Sequence, residues 1–225
     1  MFKAIIFDLD GTLVDTIEDI AAAVNSALVS FGFPTHASGD YYRLVGNGMR
    51  NLVRNAAPVD FSDEAVLDAC VAQAVREYAE KPAVFSKAYP GVPELLNELR
   101  ARKMPAAILS NKPDGLTLLV VKAVLGNHSF SAVQGEKTGV PRKPDPTSAL
   151  AIAALLGAKP REVLYLGDSD VDMHTARNAG FFAAGAAWGF RGSEELEAAG
   201  AQAMIESPID LLKLLDSPSL LTKSS

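Results

Sequence analysis

The chain has 225 residues, 48% hydrophobic and 21% charged, with a formal net charge of −6. That balance fits a folded globular protein with a full core, and excludes a disordered chain. An acidic chain without a basic cluster is unsuited to gripping nucleic acid, and a single cysteine, Cys70, excludes an internal disulfide or a thiolate metal cluster.

Ala4–Phe7 reads as a short buried strand running straight into Asp8-Leu9-Asp10-Gly11-Thr12. These aspartates interrupt the apolar start, so it does not read as a signal peptide. No apolar run elsewhere approaches the ~18 residues that a membrane span needs. A cytoplasmic location without membrane partners is therefore expected. Thr16 with Asp19 resembles a capping box, opening a helix with apolar residues at Ile17, Ile20, Ala21, Val24, Leu28 and Phe31, and ending at Gly32. The chain then reads as helical to about Lys81, including Gly48–Ala57 and a helix opened by Ser62 that runs to about Tyr78. Cys70 falls in that pattern as a small buried hydrophobe.

After Pro82 the pattern becomes alternating strand and helix. Helix is predicted at Pro93–Arg102, from Asp114, at Thr147–Leu156 and from Val171 to Ala179. Strands are predicted at Ala106–Leu109, Ser131–Gln134, Val163–Leu166 and Phe181–Ala187, with a short helix, strand and helix to follow. The tail Ser217–Ser225 reads as a frayed end. Such alternation implies a parallel sheet with helices on both faces. The expected fold is thus α/β, with a discontinuous core of residues 1–14 and 82–225 and an all-helical insert, 15–81, placed after the first strand.

Open parallel sheets bind ligands at the carboxyl ends of their strands. Those ends carry Asp8, Asp10, Gly11 and Thr12, then Ser110 and Asn111, then Asp168, Asp170 and Asp172; Lys143 comes from a loop. Crowded carboxylates repel by about 4 kcal/mol per pair at ~4 Å and an effective dielectric of ~20. A cation among them relieves this, and oxygen donors without His or Cys suit Mg²⁺. His36, His128 and His174 are scattered and show no ligand spacing. Asp168–Asp172 do not open an EF-hand, because Met173 and Ala179 stand where Gly and Glu are required. Asp170 reads as a helix N-cap. With Mg²⁺ and Lys143 balancing Asp8, Asp168 and Asp172, the site could accept a phosphate, and amides near Gly11-Thr12 could receive its oxygens. Asp8 and Asp10, two apart in extended chain, can face one substrate. One could attack phosphorus while the other donates and then recovers a proton.

The segments DLDGT at 8–12, LSN at 109–111, KP at 143–144 and GDSDVD at 167–172 appear in the order and spacing of the haloacid dehalogenase-like phosphatases, which the chain resembles over nearly its whole length. The resemblance implies a Rossmann-like sheet with a helical cap after strand one, and the catalytic residues Asp8 (nucleophile), Asp10 (general acid/base) and Lys143. It implies Ser110 on the phosphoryl group, and Mg²⁺ held by Asp8, the Asp10 carbonyl and Asp168, with Asp172 supporting the metal shell. DGTLVDT, LVGNGMRNLV at 44–53, SNKP at 110–113, RKPDP at 142–146 and AWGF at 187–190 further resemble the phosphoglycolate phosphatases. That implies a small phosphorylated metabolite, 2-phosphoglycolate, as the partner of a monomer or homodimer. The GNG amides and Arg50 could receive its carboxylate. Lys112 reads as touching either substrate or solvent. Trp188 and Phe190 read as packing near the sheet end or walling the site.

The same core residues would serve a phosphosugar mutase like β-phosphoglucomutase, or a pyrophosphatase. A metal-free 2-haloacid dehalogenase is disfavoured by Asp10, Asp168 and Asp172. A phospho-receiver signalling module normally has adjacent acidic residues after its first strand and no helical insert.

Overall fold

The structure, a computed structural model, describes residues 1–58 and 61–216. The expected frayed tail lies outside the described residues. Six strands form one parallel sheet: β1 (Ala4–Phe7), β4 (Ala106–Pro113), β5 (Ala132–Glu136), β6 (Val163–Gly167), β7 (Phe182–Ala186) and β8 (Ala203–Ile205). Their order is β5-β4-β1-β6-β7-β8, so β1 is central, pairing Ile5 with Ala106 on one side and with Leu164 on the other.

Alternation along β1 explains its unbroken apolar sequence, since each face meets its own helices. Ile5 and Phe7 join a core with Leu95 and Leu99 of α5 (Val92–Ala101), Val120 of α6 (Asp114–Leu125) and Leu211 of α10 (Leu211–Asp216). Ala4 and Ile6 face the other way, towards Ile152 of α7 (Thr147–Leu155), Met173 of α8 (Asp170–Ala179) and Leu196 of α9 (Ser193–Ala198). All four β1 residues are fully buried; each large side chain among them contributes roughly 1.5–3 kcal/mol.

Between β1 and β4 lies the helical block: α1 (Ile17–Ser30), α2 (Tyr41–Leu44), α3 (Gly48–Ala56) and α4 (Glu64–Glu80). Its core of Val24, Leu28, Tyr41, Val53, Leu67, Cys70 and Tyr78 is continuous with that of the first sheet face. Where the chain leaves and re-enters the sheet layer, β2 (Val14–Asp15) pairs antiparallel with β3 (Lys87–Ala88). Two-residue strands are too short to show periodicity, so this ribbon has no sequence signature.

Three local expectations are corrected. Thr16 and Asp19 do not form a capping box. The Thr16 hydroxyl donates to Asp10 instead, and buried Asp19 accepts from the amides of Val84, Phe85 and Ser86 and from the Ser86 hydroxyl. Asp63, rather than Ser62, caps α4 by accepting from Ala65 N and Val66 N. Ser169, rather than Asp170, caps α8 in a reciprocal box with Asp172. In each case a competing partner, near or distant in sequence, outbids the local reading. The strand ending at Ser110 in the sequence reading also runs on to Pro113, with a register shift against β5 between Leu109 and Pro113.

Candidate active site

The carboxyl ends of β1, β4 and β6 meet at one edge of the sheet, beneath the helical block. Asp8 is held at the tip of β1 by its amide, which donates to Leu166 O of β6 at 2.9 Å. Its Oδ1 accepts from Leu9 N at 2.7 Å and lies 2.9 Å from Lys143 Nζ. Lys143 also reaches Asp172 Oδ1 at 2.7 Å, so one ammonium bridges the two carboxylates. Asp172 accepts in addition from Ser169 N, Ser169 Oγ and the Tyr165 hydroxyl. Asp168, at the end of β6, accepts from Thr12 Oγ1 at 3.0 Å and from Phe190 N at 2.8 Å.

Carboxylate oxygens of Asp8, Asp168 and Asp172 lie within 4.8 Å of one another, all buried. Burial, then Asp172 and Asp10, push Asp8 up to about 7 against the pull of Lys143. Burial, then Asp172 and Asp8, hold Asp168 well above the usual carboxylate range. Burial alone would disfavour the Lys143 ammonium, but Asp172 and Asp8 outweigh it and raise its pKa. One lysine therefore leaves this trio short of positive charge. Three hard oxygen donors with unrelieved repulsion fit a divalent cation.

Close packing around Asp168 explains one predicted glycine. Gly11 has φ +81, and a Cβ there would fall 2.1 Å from Asp168 Oδ2. The amides of this turn, the Thr12 side chain and Asn111 have partners other than the phosphate substrate expected for them. Gly11 N donates to Val14 O and Thr12 N to Leu9 O, so the turn consumes the amides expected to receive phosphate. The Thr12 side chain is fully buried on Asp168 and holds that carboxylate. Asn111 is a clamp: its side chain exchanges two hydrogen bonds with the backbone of Lys143 and donates a third to Gly46 O of the helical block. Ser110 remains beside Asp8 and Asp10 on the cavity wall.

The cavity lies between this edge and the helical block, which contributes Ile20, Met49 and Leu52 as an apolar roof. Arg50 does not line it. α3 turns Met49, Leu52, Val53 and Ala56 inward. That leaves Arg50 outside, ion-paired to Glu64 at 2.5 Å and Asp68 at 2.9 Å. Tyr41 is fully buried in the core, whereas Met49, also buried, reaches the cavity. Phe190 walls the cavity, and Trp188 Nε1 donates to Thr12 O.

One cation was missed in the sequence, and another, Lys112, meets a partner other than the substrate or solvent expected for it. Arg191 donates to Val45 O at 2.9 Å, tying the Phe190 loop to the helical block; a lone arginine in a loop carries no pattern. Lys112 Nζ lies 2.9 Å from Asp10 Oδ1, buried in the cavity wall. Had the strand been extended to Pro113, the period of two would have placed Lys112 on the same face as Ser110.

Over residues 5–186 the sequence matches the haloacid dehalogenase-like hydrolase family. Phosphoglycolate phosphatase of Aquifex aeolicus is 31% identical over 215 residues, spanning 95% of this chain and 97% of that protein. The enzyme of that name from Mannheimia succiniciproducens is 32% identical over 220 residues, with 95% and 98% covered. A solved structure described as a predicted phosphoglycolate phosphatase from Haemophilus somnus superposes with a TM-score of 0.86 at 28% identity, covering 95% of this chain and 98% of that one. No helix among the described residues is long and apolar enough to cross a membrane. With likeness at this level along almost its whole length, the chain belongs to the haloacid dehalogenase-like hydrolases.

Proposed function

We propose that the protein is a Mg²⁺-dependent phosphomonoesterase that hydrolyses 2-phosphoglycolate to glycolate and phosphate through an aspartyl phosphate on Asp8. The observation that carries this reading is the buried trio of Asp8, Asp168 and Asp172, with Lys143 bridging Asp8 and Asp172 and with Asp8 and Asp168 on the wall of a roofed cavity.

Asp8 Oδ1 is engaged by Leu9 N and Lys143, which leaves Oδ2 to attack phosphorus as a carboxylate nucleophile. Asp10 gives a proton to the departing ester oxygen and later takes one from the water that cleaves the acyl phosphate. Lys143 favours the charged form of Asp8 and faces the developing phosphoryl charge; Ser110 donates to a phosphoryl oxygen. Asp8, Asp168 and the Asp10 carbonyl would hold Mg²⁺, with Asp172 orienting Lys143 and the Asp168 loop. Bound there, the ion supplies charge neutralisation and lets a dianionic phosphate approach three carboxylates.

Residues 15–81 act as a cap over a core of 1–14 and 82–225, excluding water and admitting only a small organic group under Ile20, Met49 and Leu52. Gly46 and Gly48 line the cavity at the start of α3, where backbone amides suit a carboxylate. Arg50 is withdrawn from that role.

The test is phosphate release from a panel of small esters with Mg²⁺ and with EDTA. The expected result is turnover of 2-phosphoglycolate well above sugar phosphates and aryl phosphates, abolished by EDTA. Isomerisation of a sugar phosphate without phosphate release, or metal-independent turnover, would contradict it.

A further inference from the structure

Lys112 takes no step in the reaction above, yet it is buried as deeply as the groups that do. Its Nζ lies 2.9 Å from Oδ1 and 3.1 Å from Oδ2 of Asp10, so it spans both oxygens of the carboxyl group. The only other side chain donating to Asp10 among the described residues is Thr16, whose hydroxyl reaches Oδ1 at 2.6 Å. On its far side, Lys112 Nζ sits 4.4 Å from the ring centroid of Tyr78, on α4 of the helical block. The Tyr78 hydroxyl is buried and makes no well-aligned hydrogen bond among the described residues, and the ammonium lies over its ring. A buried ammonium needs partners. Here one comes from the sheet edge and one from the cap.

We propose that Lys112 is a positioning residue: it fixes the Asp10 carboxyl group for proton transfer, and Tyr78 seats it when the helical block lies on the sheet. The inference rests on Asp10 being the proton donor. In that step the bond from Asp8 to phosphorus forms and the bond from phosphorus to the ester oxygen breaks. The Asp10 proton goes to that oxygen. Lys112 touches no reacting atom and exchanges no proton. It faces the carboxylate that Asp10 becomes, so the contact that aligns the group also favours delivery. Without Lys112, only Thr16 on Oδ1 would restrain the carboxyl, and a general acid works only within about 2.6–3.2 Å of its target.

The consequence depends on the leaving group. An alkoxide leaves poorly without a proton, whereas p-nitrophenolate departs as a stable anion. The experiment measures kcat/KM with Mg²⁺ for 2-phosphoglycolate, 2-hydroxyethyl phosphate and p-nitrophenyl phosphate in wild type, Lys112→Met and Asp10→Asn. Lys112→Met is expected to lower both alkyl esters by about 100-fold, within the range general acid catalysis supplies, and the aryl ester by less than about 5-fold. Asp10→Asn is expected to show the same selectivity with a larger alkyl loss. Equal losses on all three esters in Lys112→Met would overturn the proposal in favour of a structural or phosphate-binding role. A loss confined to 2-phosphoglycolate would overturn it in favour of direct carboxylate binding. Asp10→Asn losing all three esters equally would instead overturn the assignment of Asp10. Should Lys112→Met lack a cooperative thermal transition, Tyr78→Leu, which keeps the ion pair and removes the ring, is measured in its place. About a 5-fold selective alkyl loss supports the proposal, and an unselective one overturns it.

Discussion

Asp10 and Arg50 were both read from motifs, Asp10 from the strongest of them, and the structure treats them oppositely. Asp10 meets a buried lysine and a buried threonine; Arg50 lies on the outer face of α3 against Glu64 and Asp68. Exposed ion pairs contribute little, so Arg50→Ala is expected to leave the kcat/KM ratio between 2-phosphoglycolate and p-nitrophenyl phosphate within about twofold, checked by steady-state kinetics. Placement at the site-bearing edge of the sheet was legible for Asp8, Asp10, Ser110 and Asp168, because an apolar run stops at or just before each, although β4 itself continues past Ser110 to Pro113. What each polar atom does there was not. Thr12 turns to Asp168, 156 positions away, and Asn111 to the backbone of Lys143, 32 away. Long-range hydrogen bonds leave no periodicity to read.

The helical block is attached to the sheet layer by more than its chain connections. Asp19 on α1 accepts from three successive amides and one hydroxyl at residues 84–86, just before β3. Replacing a hydrogen-bonded buried group strands its partners, at about 1–3 kcal/mol. Asp19→Ala is therefore expected to lower the unfolding free energy by about that amount, measured by urea denaturation; an unchanged midpoint would show the clamp to be idle. The existence of the helices and of one parallel sheet followed from long periodic segments. The β2–β3 ribbon, the Asp63 and Ser169 caps and the last residues of β4 did not, because each is decided by one or two contacts and not by a repeating pattern.

Across the molecule, three carboxylates from two strand ends and a helix are buried together at one edge of the sheet. Asp8, pushed up to about 7 by burial and by Asp172, binds its proton more tightly in the fold than in an unfolded chain. Its raised pKa contributes stability that is fully present below about pH 4 and lost as pH rises through 7. Asp168 is raised in the same direction. Mg²⁺ bound at this cluster would compete with those protons, so its stabilisation would grow with pH. At about 100 times its Kd the ion adds about 2.7 kcal/mol, roughly 5–10 °C in Tm for a chain of this size. Thermal unfolding is expected to show that increment at pH 8 and less than half of it at pH 5. An increment independent of pH would mean that the ion binds elsewhere.

Phosphorus must pass through Asp8 if the buried cluster works as described. Acid quenching of the protein during turnover of a ³²P-labelled ester, followed by peptide mapping, reads this without assumption about the substrate's natural identity. Label is expected on the peptide containing Asp8 in the presence of Mg²⁺, absent with EDTA, and absent in Asp8→Asn, whose turnover should fall by more than about 10³-fold with its Tm retained. Full-rate phosphate release with the label on another peptide, or an active Asp8→Asn protein, would contradict it.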